Sequence, residues 1–160
     1  MSQQKRLYAG PALATDIIIE YRKKEDGNFK EGIILITRMN FPYGFALPGG
    51  FAEPGLSFLE NALKEAKEET NLVVLIHNPE KPFLVLSEPG RDPRGHIASI
   101  VYIAEGSGEL MKGDDAKTAA LYSLDEIENI FGKNKFAFDH ECILKAYIRQ
   151  KKKMKSLHHP

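Results

Sequence analysis

Glu65, Glu68 and Glu69 stand three and four residues apart, shortly after a glycine-bearing turn, Gly49-Gly50-Phe51-Ala52-Glu53-Pro54-Gly55. On a helix that spacing projects the three carboxylates from one side. Two unit charges about 5 Å apart repel by roughly 3 kcal/mol at an effective dielectric near 20. Such a cluster beside a turn invites a hard divalent cation, because carboxylate and carbonyl oxygens are the donors that magnesium and manganese take. The competing reading is an ordinary solvated helix. Glu60–Lys64 and Lys64–Glu68 are favourable i,i+4 pairs, and Leu59, Ala62, Leu63 and Ala66 supply a buried stripe. The Leu47-Pro48-Gly49-Gly50-Phe51 turn ahead of the helix favours the chemical reading.

These carboxylates need a helix with defined ends and a sheet behind it. Ser57 is the expected N-cap, with Glu60 completing a capping box. Ahead of it, Ala14 to Tyr21 and Gly32 to Arg38 read as a hairpin around the polar turn Glu25-Asp26-Gly27-Asn28. Phe41 to Gly50 reads as loop with a short extended piece at Phe45 to Leu47. Strands are expected at Leu72 to Ile76, Phe83 to Ser87, Ile97 to Glu105 and Lys117 to Tyr122, with a polar loop from Gly106 to Asp115. Ser123 and Glu126 form a second capping-box pair opening a short helix. A last helix is expected from Phe138 to about Lys153, with Ile143, Leu144, Tyr147 and Ile148 on its apolar face. Its basic end, Lys151-Lys152-Lys153-Met154-Lys155, suits a solvated helix C-terminus. Strands mixed with a few helices predict an α/β chain with a mixed sheet between helices.

Composition narrows the function classes. The 160 residues suggest one domain with a full-sized core. Lys plus Arg equals Asp plus Glu, 22 against 22, so no global field points to nucleic acid or to a membrane surface. No apolar run is long enough to span a bilayer, and the N-terminus lacks a signal-peptide hydrophobic region. One cysteine, Cys142, rules out an internal disulfide and fits a reducing compartment; its setting, Cys142-Ile143-Leu144, reads as a buried helix position. A cytoplasmic location is the expectation.

The segment from Gly50 to Leu72 resembles a Nudix box, the signature of hydrolases that cleave a nucleoside diphosphate linked to another group. Gly50 opens the pattern, and Glu65, Ala66, Glu68, Glu69 and Leu72 occupy its helix positions. Three positions depart from it. The first box Glu is Leu56, which removes a carboxylate, although Glu53 and Glu60 are close in sequence. The box Arg is Lys64, which keeps the charge without the planar fork. The closing Gly is Asn71, the next best residue in a left-handed helix C-cap. The resemblance implies a Nudix fold, with a mixed β-sheet in an α/β/α sandwich, spanning residues 11–150 between an N-terminal arm (1–10) and a basic tail (151–160). It also implies Mg2+ or Mn2+ held by Glu65, Glu68, Glu69 and the Gly49 carbonyl.

Segments outside the box resemble the ADP-ribose pyrophosphatase branch. They are Pro11 to Asp16, Ser87 to His96, Gly113-Asp114-Asp115-Ala116 and Ala137-Phe138-Asp139-His140. Arg91 and Arg94 flank Asp92-Pro93 in a turn-rich stretch, where two guanidiniums can clamp a diphosphate or a terminal ribose phosphate; an Asp–Arg pair holding a surface turn is the plain alternative. His96 is expected to hydrogen-bond structurally. Phe41, Tyr43 and Phe45 lie in the Pro/Gly-rich loop; core packing is the commoner use of such rings, and Phe45 is the one assigned to the substrate's adenine. Where the branch often carries a Glu in the acidic loop, this chain has Thr118, leaving Asp114 and Asp115 as carboxylates outside the box.

The implied reaction is hydrolysis of the diphosphate of ADP-ribose, or of a related nucleoside diphosphate derivative, to AMP and ribose 5-phosphate. Glu65 and Glu69 are the preferred catalytic carboxylates, ahead of Asp115. The resemblance further implies a nucleotide small molecule as partner, no nucleic acid or membrane, and a homodimer. Two alternatives stay open: a weakened Nudix domain that senses nucleotide or ADP-ribose, and a hydrolase of another nucleotide.

Overall fold

The computed structural model describes residues 10–111, 113 and 116–157. The central hairpin joins β1 (Ala12–Glu25) to β2 (Asn28–Arg38). Asp26 and Gly27 at its tip both take positive φ, 48° and 82°, the pair of left-handed residues that a two-residue hairpin turn with the strands' own twist requires. Both strands run further toward the turn than their apolar cores alone predict, because the hairpin's hydrogen bonds continue past the last buried residue.

Consecutive isoleucines explain the layers. Ile17, Ile18 and Ile19 are all fully buried. Side chains alternate across a strand, so Ile17 and Ile19 enter one core while Ile18 enters another on the opposite face. The first core lies under α1 (Phe58–Thr70), with Ala62, Ala66 and Leu72. The second lies under α3 (His140–Leu157), with Ile143, Leu144, Tyr147 and Ile148. A sheet buried on both faces is the sandwich expected, and each fully buried isoleucine contributes about 1.5–3 kcal/mol.

Among the described residues the sheet is mixed and has eight strands. β7 (Ile97–Ser107) lies parallel to β1, with Ala12 opposite Ile97 and Glu20 opposite Glu105. β3 (Phe45–Ala46) and β8 (Ala116–Tyr122) extend it from β2, while β5 (Val73–Leu75) and β6 (Leu84–Leu86) pair with β7. β4 (Gly49–Phe51), hidden in a stretch that reads as loop, pairs with β1 so that Asp16 faces Gly49 and Thr15 faces Gly50. The glycine pair is therefore part of the sheet, which gives it a fixed position.

Both capping boxes form, at Ser57–Glu60 and at Ser123–Glu126, the second opening the short α2 (Leu124–Glu128). Asn71 ends α1 in the left-handed conformation at φ 61°. Two expectations need correcting. The last helix opens at His140, because Phe138 takes φ 55° and cannot belong to a right-handed helix. Cys142 is exposed, since the buried stripe of α3 runs through its neighbours Ile143 and Leu144. Of the basic helix end, Lys151 pairs with Glu20 and Lys152 with Glu128, tying this part of α3 to β1 and α2. Among the described residues no helix is long and apolar enough to cross a membrane.

Candidate active site

Helix α1 and strand β4 meet carboxylate to backbone. The Gly49 N–H donates to Glu69 Oε2 at 2.9 Å. A Cβ at Gly50 would lie 2.5 Å from Glu65 Oε1, so a side chain there would occupy the place of the Glu65 carboxylate. A Cβ at Gly49 would lie 2.2 Å from the Thr15 carbonyl oxygen and 2.7 Å from Asp16 Oδ1. Gly49 is thus required by close approach to backbone, whereas a side chain at Gly50 would displace the flexible end of Glu65. Asn61, fully buried on α1, locks the junction: its Nδ2 donates to Thr15 Oγ1 at 2.8 Å and its Oδ1 accepts from the Glu53 N–H at 3.1 Å.

Glu69 is buried, and burial pushes its carboxyl up to about 8; the Glu65 and Asp16 charges act in the same direction, against the Gly49 hydrogen bond and the field of Arg38. An anion here lacks sufficient compensation, which is the electrostatic condition for recruiting a cation. Glu68 is exposed and its carboxylate accepts from Lys64 Nζ at 2.8 Å. Lys64 also donates to Glu53 at 2.9 Å, so the lysine at the box Arg position gathers two carboxylates. Of the two acids near Leu56, Glu60 is engaged in the capping box and Glu53 is the one turned toward the helix face.

Among the described residues, no three His, Cys, Asp or Glu side chains already stand together as a ligand set. Glu65 and Glu69 meet at the glycine pair, whereas Glu68 is turned to Lys64. The donor chemistry, all oxygen with a buried and poorly compensated carboxylate, fits a hard divalent cation. Asp115 lies outside the described residues. Thr118 Oγ1 donates to Thr37 Oγ1 at 2.8 Å, a cross-strand pair between β8 and β2.

The opposite wall is cationic. The pocket beside the glycine pair is lined by Arg38, Arg91 and Arg94, together with Asp16, Phe51, Phe138 and His140. Arg91 is almost wholly buried and makes a two-pronged ion pair with Asp139, Nε–Oδ2 2.9 Å and Nη2–Oδ1 2.6 Å, which anchors the start of α3. Arg94 is held by Asp92 through its Nε (3.0 Å), Nη2 (2.8 Å) and backbone N–H (2.9 Å). Burial tends to raise the Asp92 carboxyl, but these bonds and the field of Arg91 hold it below the ordinary range.

Arg38 ends β2 and donates from Nε to the Pro42 carbonyl at 2.9 Å. Burial and the neighbouring Arg94 charge lower its pKa, as expected for cations held close together. Arg94 lies 4.9 Å from the centre of the Phe51 ring and 4.7 Å from that of Phe138, and Arg38 lies 4.8 Å from Phe138. Phe138 reaches this place through its left-handed backbone, a conformation that costs of order 1–3 kcal/mol for a bulky residue.

Under the pocket, the Leu47 N–H donates to His140 Nδ1 at 2.9 Å. Nδ1 is therefore unprotonated, and the ring presents Nε2–H to Asp16 Oδ1 at 3.4 Å. Ser99 Oγ donates to the other oxygen of Asp16. Burial alone would raise the Asp16 carboxyl; His140, Ser99 and Arg91 outweigh it and keep the carboxylate ionised. This network fixes the strand that carries Gly49 and Gly50.

The expected residues thus divide. Glu65, Glu69 and Gly49 come together, and Arg91 and Arg94 line the pocket beside Gly49. Phe45 does not; it packs in the second core against Tyr122 and Phe136 and is not among the pocket's lining residues. His96 Nε2 donates to the Ser87 carbonyl at 2.9 Å, in the structural role expected. Asp16, Arg38, Phe51, Asn61, Phe138 and His140 went unassigned in the sequence. Signals existed for some of them: Asp16, Phe138 and His140 lie in segments that resemble the ADP-ribose pyrophosphatase branch, and Arg38 closes the apolar run of β2.

A family model described as NUDIX domain matches residues 11–147. A protein of Methanocaldococcus jannaschii named ADP-ribose pyrophosphatase is 46% identical over 150 residues, 91% of this chain and 78% of that protein. The structure of a MutT/nudix family protein from Enterococcus faecalis is 31% identical and superposes with a TM-score of 0.69, covering 92% of this chain and 64% of that one. The NUDIX domain of Shewanella oneidensis NrtR, complexed with ADP ribose, has a TM-score of 0.72 over 92% of this chain and 93% of its own; at 18% identity it speaks to the fold alone.

Proposed function

The chain belongs to the NUDIX domain family, and on that premise we propose that it hydrolyses the diphosphate of ADP-ribose to AMP and ribose 5-phosphate. The observation that carries this reading is the meeting of two charge sets at the glycine pair: Glu65 and Glu69 reach it from α1, and Arg38 and Arg94 line the pocket that Gly49 and Gly50 also line. A diphosphate bears charge that the guanidinium wall attracts, and its hydrolysis needs a carboxylate beside the attacked phosphorus. The substrate class is supported by the M. jannaschii relative.

Glu65, Glu68, Glu69 and the Gly49 carbonyl would hold a magnesium or manganese ion, which when bound supplies positive charge against the phosphate oxygens and acidifies water. The chain's own groups do the rest. Arg94, fixed by Asp92, and Arg38, fixed by Pro42, orient the diphosphate with little reorganisation. Glu65 and Glu69 accept the proton of the attacking water or orient it; proton and hydroxyl end on the two phosphate products. Asn61 and His140 keep β4 in register against α1.

The test is incubation of the pure protein with ADP-ribose and magnesium or manganese, followed by assay for AMP. AMP formation that stops on chelation supports the reading; absence of AMP under both metals overturns it. Leu56 and Thr118, which place no carboxylate where the family pattern or branch has one, favour a second reading as a ligand sensor. Saturable ADP-ribose binding without AMP formation would assign that role.

A further inference from the structure

The pocket wall holds an alternating column of rings and guanidiniums: Phe51, Arg94, Phe138, Arg38, with centre distances of 4.9, 4.7 and 4.8 Å. Its inner members are held from both sides, Arg94 between two rings and Phe138 between two guanidiniums. Its outer end is different. Phe51 follows the glycine pair on β4, lines the pocket, meets Arg94 with its ring, and still leaves 47% of its surface open.

We infer that Phe51 is the platform on which the flat base of a nucleotide substrate stacks, and that it selects base-bearing diphosphates over base-free ones. Three features support this. The ring sits on a strand, whose pairing with β1 through Ala14 fixes its position. Arg94 behind it keeps the ring from collapsing into the pocket and places a cation next to the phosphate that follows the nucleoside. The open ring adjoins Arg94, and Arg38 follows beyond Phe138 in the same pocket lining, so one ligand can place a base on Phe51 and a phosphate oxygen on Arg94, with the Arg38 charge further along. A π-face accepts any base, so Phe51 recognises that a base is present without distinguishing which one. This assignment takes the place of Phe45, which is half-buried against the second core and does not line the pocket.

The inference rests on the ADP-ribose reading above, and its test separates the two. Wild-type protein, F51A, F51L and F51W are assayed with ADP-ribose, with AMP and ribose 5-phosphate as competing products. Loss of a base–aromatic stack predicts that F51A and F51L raise KM for ADP-ribose by roughly tenfold with a smaller change in kcat, and weaken AMP inhibition by a similar factor. Inhibition by ribose 5-phosphate should hold within about twofold, and F51W should restore wild-type values. F51L keeps apolar surface without a π-face, so it carries the test if F51A folds poorly. Equal weakening of AMP and ribose 5-phosphate, or unchanged AMP inhibition in F51L, overturns the inference while the hydrolytic reading stands. A wild-type protein inert toward ADP-ribose overturns the reading itself.

Discussion

The acidic and cationic sides of the site are built in different ways. The acidic side comes from one continuous stretch: a turn and a single helix bring Glu65 and Glu69 to the glycine pair, with Glu68 on the same helix turned to Lys64. The cationic side draws Arg38 from the end of β2, Arg91 and Arg94 from a loop before β7, Phe138 from the approach to α3 and His140 from its first residue. Helical spacing determines which carboxylates share a face. Nothing local determines which arginine faces a ligand and which is consumed by an internal partner. Here Arg91 is bound to Asp139, 48 residues away, whereas Arg94 is bound to Asp92 within its own loop and keeps a face toward the pocket.

Four measurements put this contrast at risk. The largest effect belongs to the acidic wall. Glu65→Gln keeps the shape against Gly50 and removes the charge, so turnover should fall by roughly 100-fold or more while the melting temperature stays near wild type. Near-normal turnover in a folded variant would show that the carboxylate face is ordinary helix surface. Next is the internal arginine. Arg91→Ala leaves Asp139 without its partner at the start of α3 and should cost about 3 kcal/mol in urea unfolding, since breaking a buried ion pair strands its other half. A stability loss under about 1 kcal/mol would return Arg91 to the ligand-facing set.

The third effect follows from Glu69, whose folded pKa near 8 lies above its ordinary value of 4.5. A carboxyl raised by folding binds its proton more tightly in the native state, so stability is greatest below the unfolded pKa and declines as pH rises toward the folded one. Metal-free protein should lose about 2 kcal/mol between pH 6 and pH 8. Added magnesium should recover part of that loss, and Glu69→Gln should flatten the profile. A flat profile in metal-free wild type would mean that the Glu69 charge is already compensated. Smallest is Arg94→Ala, which should raise KM for ADP-ribose about tenfold and shift stability by less than Arg91→Ala, because its partner Asp92 sits in a loop that can relax. The reverse ranking of the two arginines would invert the assignment of the cationic wall.

Much of the frame was legible. The Ser57–Glu60 and Ser123–Glu126 capping boxes and the left-handed Asn71 each rest on contacts within a few residues, and each forms as the spacing predicts. β4 was not legible, because a three-residue strand containing two glycines has no pattern of its own and exists through pairing with β1. Cys142 and Phe45 show the same limit from the side of burial. Each sits next to residues whose burial is patterned, and only the packing of α3 and of Tyr122 decides which of the neighbours faces inward.

By itself, then, the sequence determined the helix that bears the carboxylates, its caps, the glycine pair and the family to which they belong, because backbone propensity and i,i+3 and i,i+4 spacing act locally. Tertiary structure decided the cationic wall, the left-handed Phe138 between two guanidiniums, the Asp16–His140 support and the open face of Phe51. Those features join segments separated by dozens of residues, and partner choice among charged and aromatic side chains depends on which distant elements the sheet brings within a few ångströms.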